Sequence, residues 1–143
     1  MSTHPARDLL LSLRPQFADA IMRGLKSIEL RRTRPNLGRD SQVLLYASAP
    51  RMAIVARARV ASIVQDEPAN IWRDHACAVG ISASDFHRYF EGADTGYGLL
   101  LEDVTPLEPL SLAEMRALGV EPPQSWRYVD RELVEHIRPR LAS

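Results

Sequence analysis

The sequence has 143 residues, of which 45% are hydrophobic and 25% are charged, the usual balance of a globular protein. This composition excludes a disordered or fibrous chain, and the length predicts a single domain over residues 1–143. There is no run of about 18 apolar residues, so we expect no membrane-spanning helix, no signal peptide and no membrane partner. With Cys77 as its one cysteine, the chain can form neither an internal disulfide nor a cysteine zinc cluster. We therefore expect a protein of the reducing cytoplasm.

Charge is distributed unevenly, although the formal net charge is zero. Residues 1–60 contain 11 Lys and Arg against 4 Asp and Glu, a net charge of +7, whereas residues 61–143 have a net charge of −7. The basic half favours a polyanionic partner. The alternative is that the two halves neutralise each other within the fold.

Lysine is almost absent, since 17 of the 18 basic residues are arginine and the other is Lys26. An amine can lose its proton on burial, whereas a guanidinium stays charged. Lys26 is therefore a candidate functional residue. The alternative is that an arginine-biased protein simply retains one lysine.

Short apolar segments and turn residues predict mostly strands in the first half of the chain. Pro15 suits the first turn of a helix, and Gly24 suits its C-terminal end. The predicted elements are a strand at 9–13, a helix at 15–23, and strands at 27–32, 43–47 and 53–64.

The second half is predicted to be more helical than the first. Pro68 and Gly80 bound one helix, Ser82 and Ser111 each begin a capping box, and Asp130 starts a last helix. The predicted elements are helices at 68–79 and 83–90, a fifth strand at 97–104, a short helix ending before Gly119, and a final helix closed by Pro139. This order predicts an α+β domain with a curled, partly closed sheet. Its motif-bearing part spans about 9–104, and a helical extension spans about 105–143.

The densest polar cluster lies at the predicted second strand. Alternation places Glu29 and Arg31 on one face and Ile28 and Leu30 on the other, with Lys26 in the preceding turn. Arg31 can bind a phosphate in a bidentate manner, and Lys26 can bind one as a point charge. The alternative is a solvated strand face that carries a weak surface ion pair.

These residues form the pattern G-x-K-x-x-E-x-R, and the chain from about 10 to 63 resembles the ASCH (activating signal cointegrator homology) domain. Further similarity lies in the segments SLRP at 12–15, VLLYASAP at 43–50, GYG at 96–98 and PQSWRY at 123–128. The last two are similar to a bacterial subgroup of stand-alone ASCH proteins. The resemblance implies a PUA-like fold, a small mixed β-barrel with flanking helices.

The resemblance also implies a cleft that is lined by the motif and binds RNA or a modified nucleotide or nucleoside. Aromatic rings near arginine can stack on bases, although they can equally pack in the barrel rim. No cofactor is expected, and the scattered histidines have no metal-ligand spacing. The residues expected to line the cleft are Lys26, Glu29, Arg31, Arg32, Tyr46, Ser48, Tyr97, Gln124, Ser125, Trp126 and Arg127, with Arg34 as a further phosphate contact.

Two alternatives remain for the function. The resembling family includes ribonucleases and acetylcytidine amidohydrolases, so the protein is alternatively a hydrolase in which Lys26 and Glu29 are catalytic. In those amidohydrolases a threonine nucleophile follows the motif lysine by three positions, whereas here that position is Glu29. The other alternative is a regulatory domain that docks a protein partner through its acidic C-terminal half.

Overall fold

Strands and short helices alternate along the chain in the computed structural model, which describes residues 7–38 and 41–142. The elements are β1 (Asp8–Leu13), α1 (Pro15–Met22), β2 (Ile28–Arg31), β3 (Gln42–Ala47), β4 (Ala53–Asp66), α2 (Pro68–His75), α3 (Ala83–Tyr89), β5 (Gly96–Ser111), α4 (Leu112–Ala117), β6 (Trp126–Val129), α5 (Arg131–Ile137) and a terminal 3-10 turn (Arg138–Arg140).

The six strands form one sheet in the order β2-β5-β4-β3-β1-β6. The β1–β3 pair is parallel, and the other pairs are antiparallel. The long β4–β5 pair contains three register shifts, and such irregularities bend a ladder and increase its twist. The sheet therefore curls strongly into a half-barrel with flanking helices, as the sequence predicts.

The curl brings the two edge strands of the sheet towards each other. Trp126 of β6 donates from its indole nitrogen to the Thr33 hydroxyl just after β2, at 3.3 Å. In the same loop, the Asn36 amide donates to the Tyr128 hydroxyl at 2.8 Å. Side-chain hydrogen bonds thus join the β2 and β6 edges where the strand ladder does not.

The core lies on both sides of the sheet. Leu9 and Leu11 point into the curled interior, where α1 packs, and Leu10 points to the opposite face, beneath α4 and α5. A third cluster buries Ile28 and Leu30 of β2 against α2 and α3. A strand covered on both faces shows a continuous apolar run in place of alternation, which explains the leucine run of β1.

Several local predictions are confirmed. Pro15 occupies the first turn of α1, and Gly24 follows that helix with a φ of +78°. Ser111 and Glu114 form the predicted capping box of α4. At Ser82 only half of the predicted capping box forms, in which the Ser82 hydroxyl accepts from the Asp85 amide. Each of these features depends on residues within one helical turn of each other, so the local sequence was sufficient to predict it.

The second half is more helical than the first, as predicted, but its elements differ from the predicted ones in three places. The fifth strand does not end at residue 104 but runs on to Ser111, through Pro106 and Pro109. Prolines usually exclude a central strand, but the shifted register of this pair accommodates Pro106 opposite Ala56. Strand β6 was not predicted, and α2 ends at His75 instead of residue 79. Among the described residues, no helix is long and apolar enough to cross a membrane.

Candidate functional site

A cavity of about 490 Å³ opens where α1, β2 and α3 meet the segment before β6. Five of the residues predicted from the sequence line this cavity. They are Lys26, Glu29, Arg31, Ser48 and Gln124. A sixth, Ser125, contacts the site because its hydroxyl accepts a hydrogen bond from Arg31 Nη1 at 2.9 Å.

Strand β2 positions the acidic and basic side chains of the motif. Its antiparallel register places Glu29 opposite Leu99 and Arg31 opposite Tyr97 of β5. Leu99 belongs to the core inside the curled sheet, so Glu29 and Arg31 face that interior. The predicted alternation of faces is present, but the alternative of a solvated strand face is wrong, because all four β2 residues are buried.

Lys26, Glu29 and Arg31 form a buried ionic cluster, with 3%, 7% and 8% of their surface exposed. Lys26 Nζ lies 3.7 Å from Glu29 Oε2, and Arg31 Nη2 lies 3.4 Å from Glu29 Oε1. Two cations thus face one carboxylate, which leaves an excess positive charge. Among the described atoms, Glu29 Oε2 and Arg31 Nε have no hydrogen-bond partner. Unpartnered buried polar atoms are costly, so this cluster is suited to a polar ligand.

The amine of Lys26 is also held by a backbone carbonyl. Its Nζ donates to the Val79 carbonyl at 2.5 Å and lies 5.7 Å from the centroid of the Phe17 ring. Burial lowers the pKa of Lys26 below the ordinary value of 10.5, with nearby Glu29 opposing that effect and Arg31 adding to it. The amine therefore loses its proton more readily than an exposed lysine does.

The mouth of the cavity is basic and aromatic. Arg14 and Arg88 line it from exposed positions, and Arg88 Nη1 lies 4.0 Å from the Asp85 carboxylate. Tyr89 is 37% exposed there, and its hydroxyl donates to the Leu30 carbonyl at 3.2 Å. Burial raises the pKa of the Tyr89 hydroxyl. Arg88 and Tyr89 were not predicted, because nothing local to α3 indicates that it packs beside β2.

Two predicted phosphate contacts have structural roles outside the cavity lining. Arg32 Nη1 donates to the Tyr89 and Glu91 carbonyls at 2.7 and 3.0 Å. It thereby fastens the C-terminal end of α3 to the end of β2. Arg34 Nη1 donates to Gln65 Oε1 at 2.8 Å. Both side chains are turned towards other surface elements, and neither lines the cavity.

Four further predicted residues also lie outside the cavity lining. Tyr46 is buried in the core cluster beneath α4 and α5, since alternation along β3 directs it away from the sheet interior. Tyr97 is half-buried opposite Arg31, and Trp126 packs on the rim of the interior core. Arg127 is exposed, with Nη1 donating to a backbone carbonyl. Tyr46 and Trp126 therefore both pack against the core, Tyr46 fully and Trp126 in part.

No group of three or more His, Cys, Asp or Glu side chains placed to hold a metal occurs within residues 7–38 and 41–142. The functional groups that line the cavity include an amine, guanidinium groups, carboxylates and hydroxyls.

Comparisons with known proteins place the site in a family context. A curated protein of Zymomonas mobilis subsp. mobilis, described as an ASCH domain-containing ribonuclease, is 29% identical over 128 residues, which cover 88% of this chain and 86% of that protein. The crystal structure of ASCH from Zymomonas mobilis matches with a TM-score of 0.88 at 27% identity, covering 95% of this chain and 96% of that chain. A tyrosine-to-phenylalanine variant of the same protein matches with a TM-score of 0.88 at 26% identity, covering 94% and 99%. The ASCH domain model itself matches residues 11–124, so this chain belongs to the ASCH domain family.

Proposed function

We propose that this protein acts on RNA and binds one of its nucleotides in the cavity lined by the G-x-K-x-x-E-x-R motif. The observation that carries the proposal is the buried cluster of Lys26, Glu29 and Arg31, with its excess positive charge and its unpartnered carboxylate oxygen. The relative described as a ribonuclease supports RNA as the class of ligand.

The charges of the cluster suit a phosphate next to a base. The Arg31 guanidinium can donate two parallel hydrogen bonds to phosphate oxygens, and the Lys26 ammonium adds a point charge. Glu29 Oε2 can accept from the exocyclic amino group of a base. At the mouth, Arg14 and Arg88 can meet neighbouring phosphates, and the exposed ring of Tyr89 offers a face for stacking.

The depth of the cavity favours an unpaired nucleotide. Its volume of about 490 Å³ lies in the range of small-molecule pockets, which is roughly 300–1,000 Å³. The cluster at its floor is more than nine-tenths buried, so the edge of a paired base cannot reach it. Sequence-specific recognition of RNA mostly targets unstacked bases in single strands for the same reason.

Hydrolysis of RNA is a second candidate function, favoured by the environment of Lys26. Burial lowers the pKa of this amine, so its neutral form, which can act as a general base, is more accessible than in an exposed lysine. It would take the proton of a 2′-hydroxyl as that oxygen bonds to phosphorus. The bond to the 5′-oxygen then breaks as that oxygen takes a proton from water, and the hydroxide left behind takes the proton held by Lys26. Water then opens the resulting 2′,3′-cyclic phosphate to a 3′-phosphate, which completes the hydrolysis. Arg31 would stabilise the charge that develops on the phosphate.

Binding of a fluorescent single-stranded RNA, measured by anisotropy, tests the proposal. Three or four phosphate contacts predict that affinity falls with salt at a log–log slope of about −2 to −3. Lys26→Ala should bind more weakly than Lys26→Arg, because arginine keeps the charge. Arg138→Ala, at an exposed position in the terminal 3-10 turn, is the control and should bind like the wild type.

Incubation of the same RNA separates binding from hydrolysis. If Lys26 is a general base, both Lys26 variants should lose cleavage, since neither alanine nor a guanidinium can accept a proton. Lys26→Arg should still retain much of the affinity for RNA, because it keeps the charge. If Lys26→Ala and Lys26→Arg both bind RNA as well as the wild type does, or if binding does not change with salt, the proposed site is wrong.

A further inference from the structure

The turn between α2 and α3 is hydrogen-bonded to the chain around Lys26. The amides of Ser27 and Ile28 both donate to the Ala78 carbonyl, at 3.0 and 3.2 Å. The Lys26 amine donates to the next carbonyl, that of Val79, at 2.5 Å. Three consecutive residues that lead into β2 are thus attached to two consecutive carbonyls about 50 residues further along the chain.

Gly80 completes this contact because it has no side chain. A Cβ atom at Gly80 would lie 2.8, 3.0 and 3.2 Å from Cβ, Cγ and Cδ of Lys26. The aliphatic part of the Lys26 side chain therefore packs directly against the α-carbon of Gly80. Since Lys26 Cβ is attached directly to backbone, it cannot swing away from an added methyl group. Gly80 also has a φ of +67°, which favours glycine.

We propose that the Val79–Gly80 turn positions Lys26 for its ligand, with Gly80 as the positioning residue. The turn directs the lysine stem along the glycine and holds the amine between the Val79 carbonyl and Glu29. One N–H of the ammonium is used by Val79, and Glu29 Oε2 at 3.7 Å is beyond hydrogen-bond distance. The remaining donors are available to the cavity that Lys26 lines. The role in ligand binding rests on the proposed function, whereas the placement of the amine does not.

Because the chain has one lysine, isotope-labelled lysine gives a single side-chain signal in NMR. In the wild type, the ε-methylene signal should titrate with a midpoint below 10.5, and the lysine methylene protons should show a nuclear Overhauser effect to the Gly80 α-protons. The charged and titratable groups that share its cavity are Glu29, Arg31, Asp85, Arg88, Tyr89 and Arg14.

Gly80→Ala should displace the lysine stem. We expect the midpoint of the Lys26 titration to move up towards 10.5 in this variant, because the amine regains contact with water. RNA affinity should fall by at least about tenfold, the loss expected for one charge-assisted hydrogen bond. Gly119→Ala is the matched control, since it has a φ of +77° but nothing within 4 Å of the added Cβ. It carries the same backbone strain and should leave both measurements unchanged.

The outcomes separate this inference from the proposed function. If the lysine signal of Gly80→Ala titrates as in the wild type, the positioning role is wrong. If the signal moves but RNA affinity does not, the positioning role stands and Lys26 does not contact RNA. If Gly80→Ala fails to fold, the wild-type spectrum still decides, because a missing Overhauser effect between Lys26 and Gly80 overturns the inference.

Discussion

Glu29 is the one anion between two buried cations, so its neutral replacement should strongly destabilise the protein. In Glu29→Gln, the shape is kept while Lys26 and Arg31 lose the carboxylate that lies 3.7 and 3.4 Å from them. Removing one partner of a buried ion pair typically costs about 3–5 kcal/mol, because the remaining charge stays buried without compensation. We expect a loss of that size in the free energy of unfolding.

Lys26→Met provides the matched comparison, because it removes one cation and leaves the Glu29–Arg31 pair intact. The Val79 carbonyl then loses its donor, which costs about 1–3 kcal/mol, but a buried charge is also removed. The net loss should therefore be smaller than for Glu29→Gln. In the double variant the two cations no longer repel each other, so its loss should be smaller than the sum of the single losses by about 0.5–3 kcal/mol.

Urea unfolding, followed by tryptophan fluorescence at neutral pH, measures all four proteins of this cycle. The slope of the free energy with urea should stay constant, so that changes in the midpoint report stability. The penalty of Glu29→Gln should shrink as the pH rises, because the Lys26 amine can then lose its charge. If Glu29→Gln changes the free energy by less than about 0.5 kcal/mol, the size of an ordinary surface substitution, the cluster is not buried as described.

Two further predictions concern the packing of β2 and the titration of Lys26. Leu30 is 5% exposed in the cluster beneath α2 and α3, so Leu30→Ala should cost about 2–5 kcal/mol in urea unfolding. Leu25→Ala, at a position 67% exposed, is its control and should change stability by less than about 0.5 kcal/mol. Burial lowers the pKa of Lys26 in the folded state below the ordinary 10.5, so between the two values the unfolded chain binds more protons. Wild-type stability relative to Lys26→Met should therefore rise with pH across that interval, and a flat difference would contradict the lowered pKa.

Features that depend on neighbours in sequence could be predicted from the chain alone. The first four strands and the ends of α1, α3 and α4 follow from apolar runs, capping residues and turn glycines. The facing of Glu29 and Arg31 follows from strand alternation, and the motif together with the single lysine indicated Lys26. Strand β6 escaped prediction because its four residues pair with β1, more than 110 positions away, and the alternation of Trp126, Arg127 and Tyr128 is too short to indicate a strand by itself.

The depth and the partners of the site were decided by tertiary structure. Alternation tells which side chains share a face but not what covers that face, and here the sheet curls so that Glu29 and Arg31 point into its interior. Val79 and Gly80 contact the side chain of Lys26. They lie more than 50 residues further along the chain, so no local sequence pattern indicates that contact. The sequence therefore determined which charged groups lie together on β2. Only the curl of the sheet around Glu29 and Arg31, and the contact of the 78–80 turn with Lys26, determined that these groups are buried, since burial depends on contacts between residues far apart in sequence.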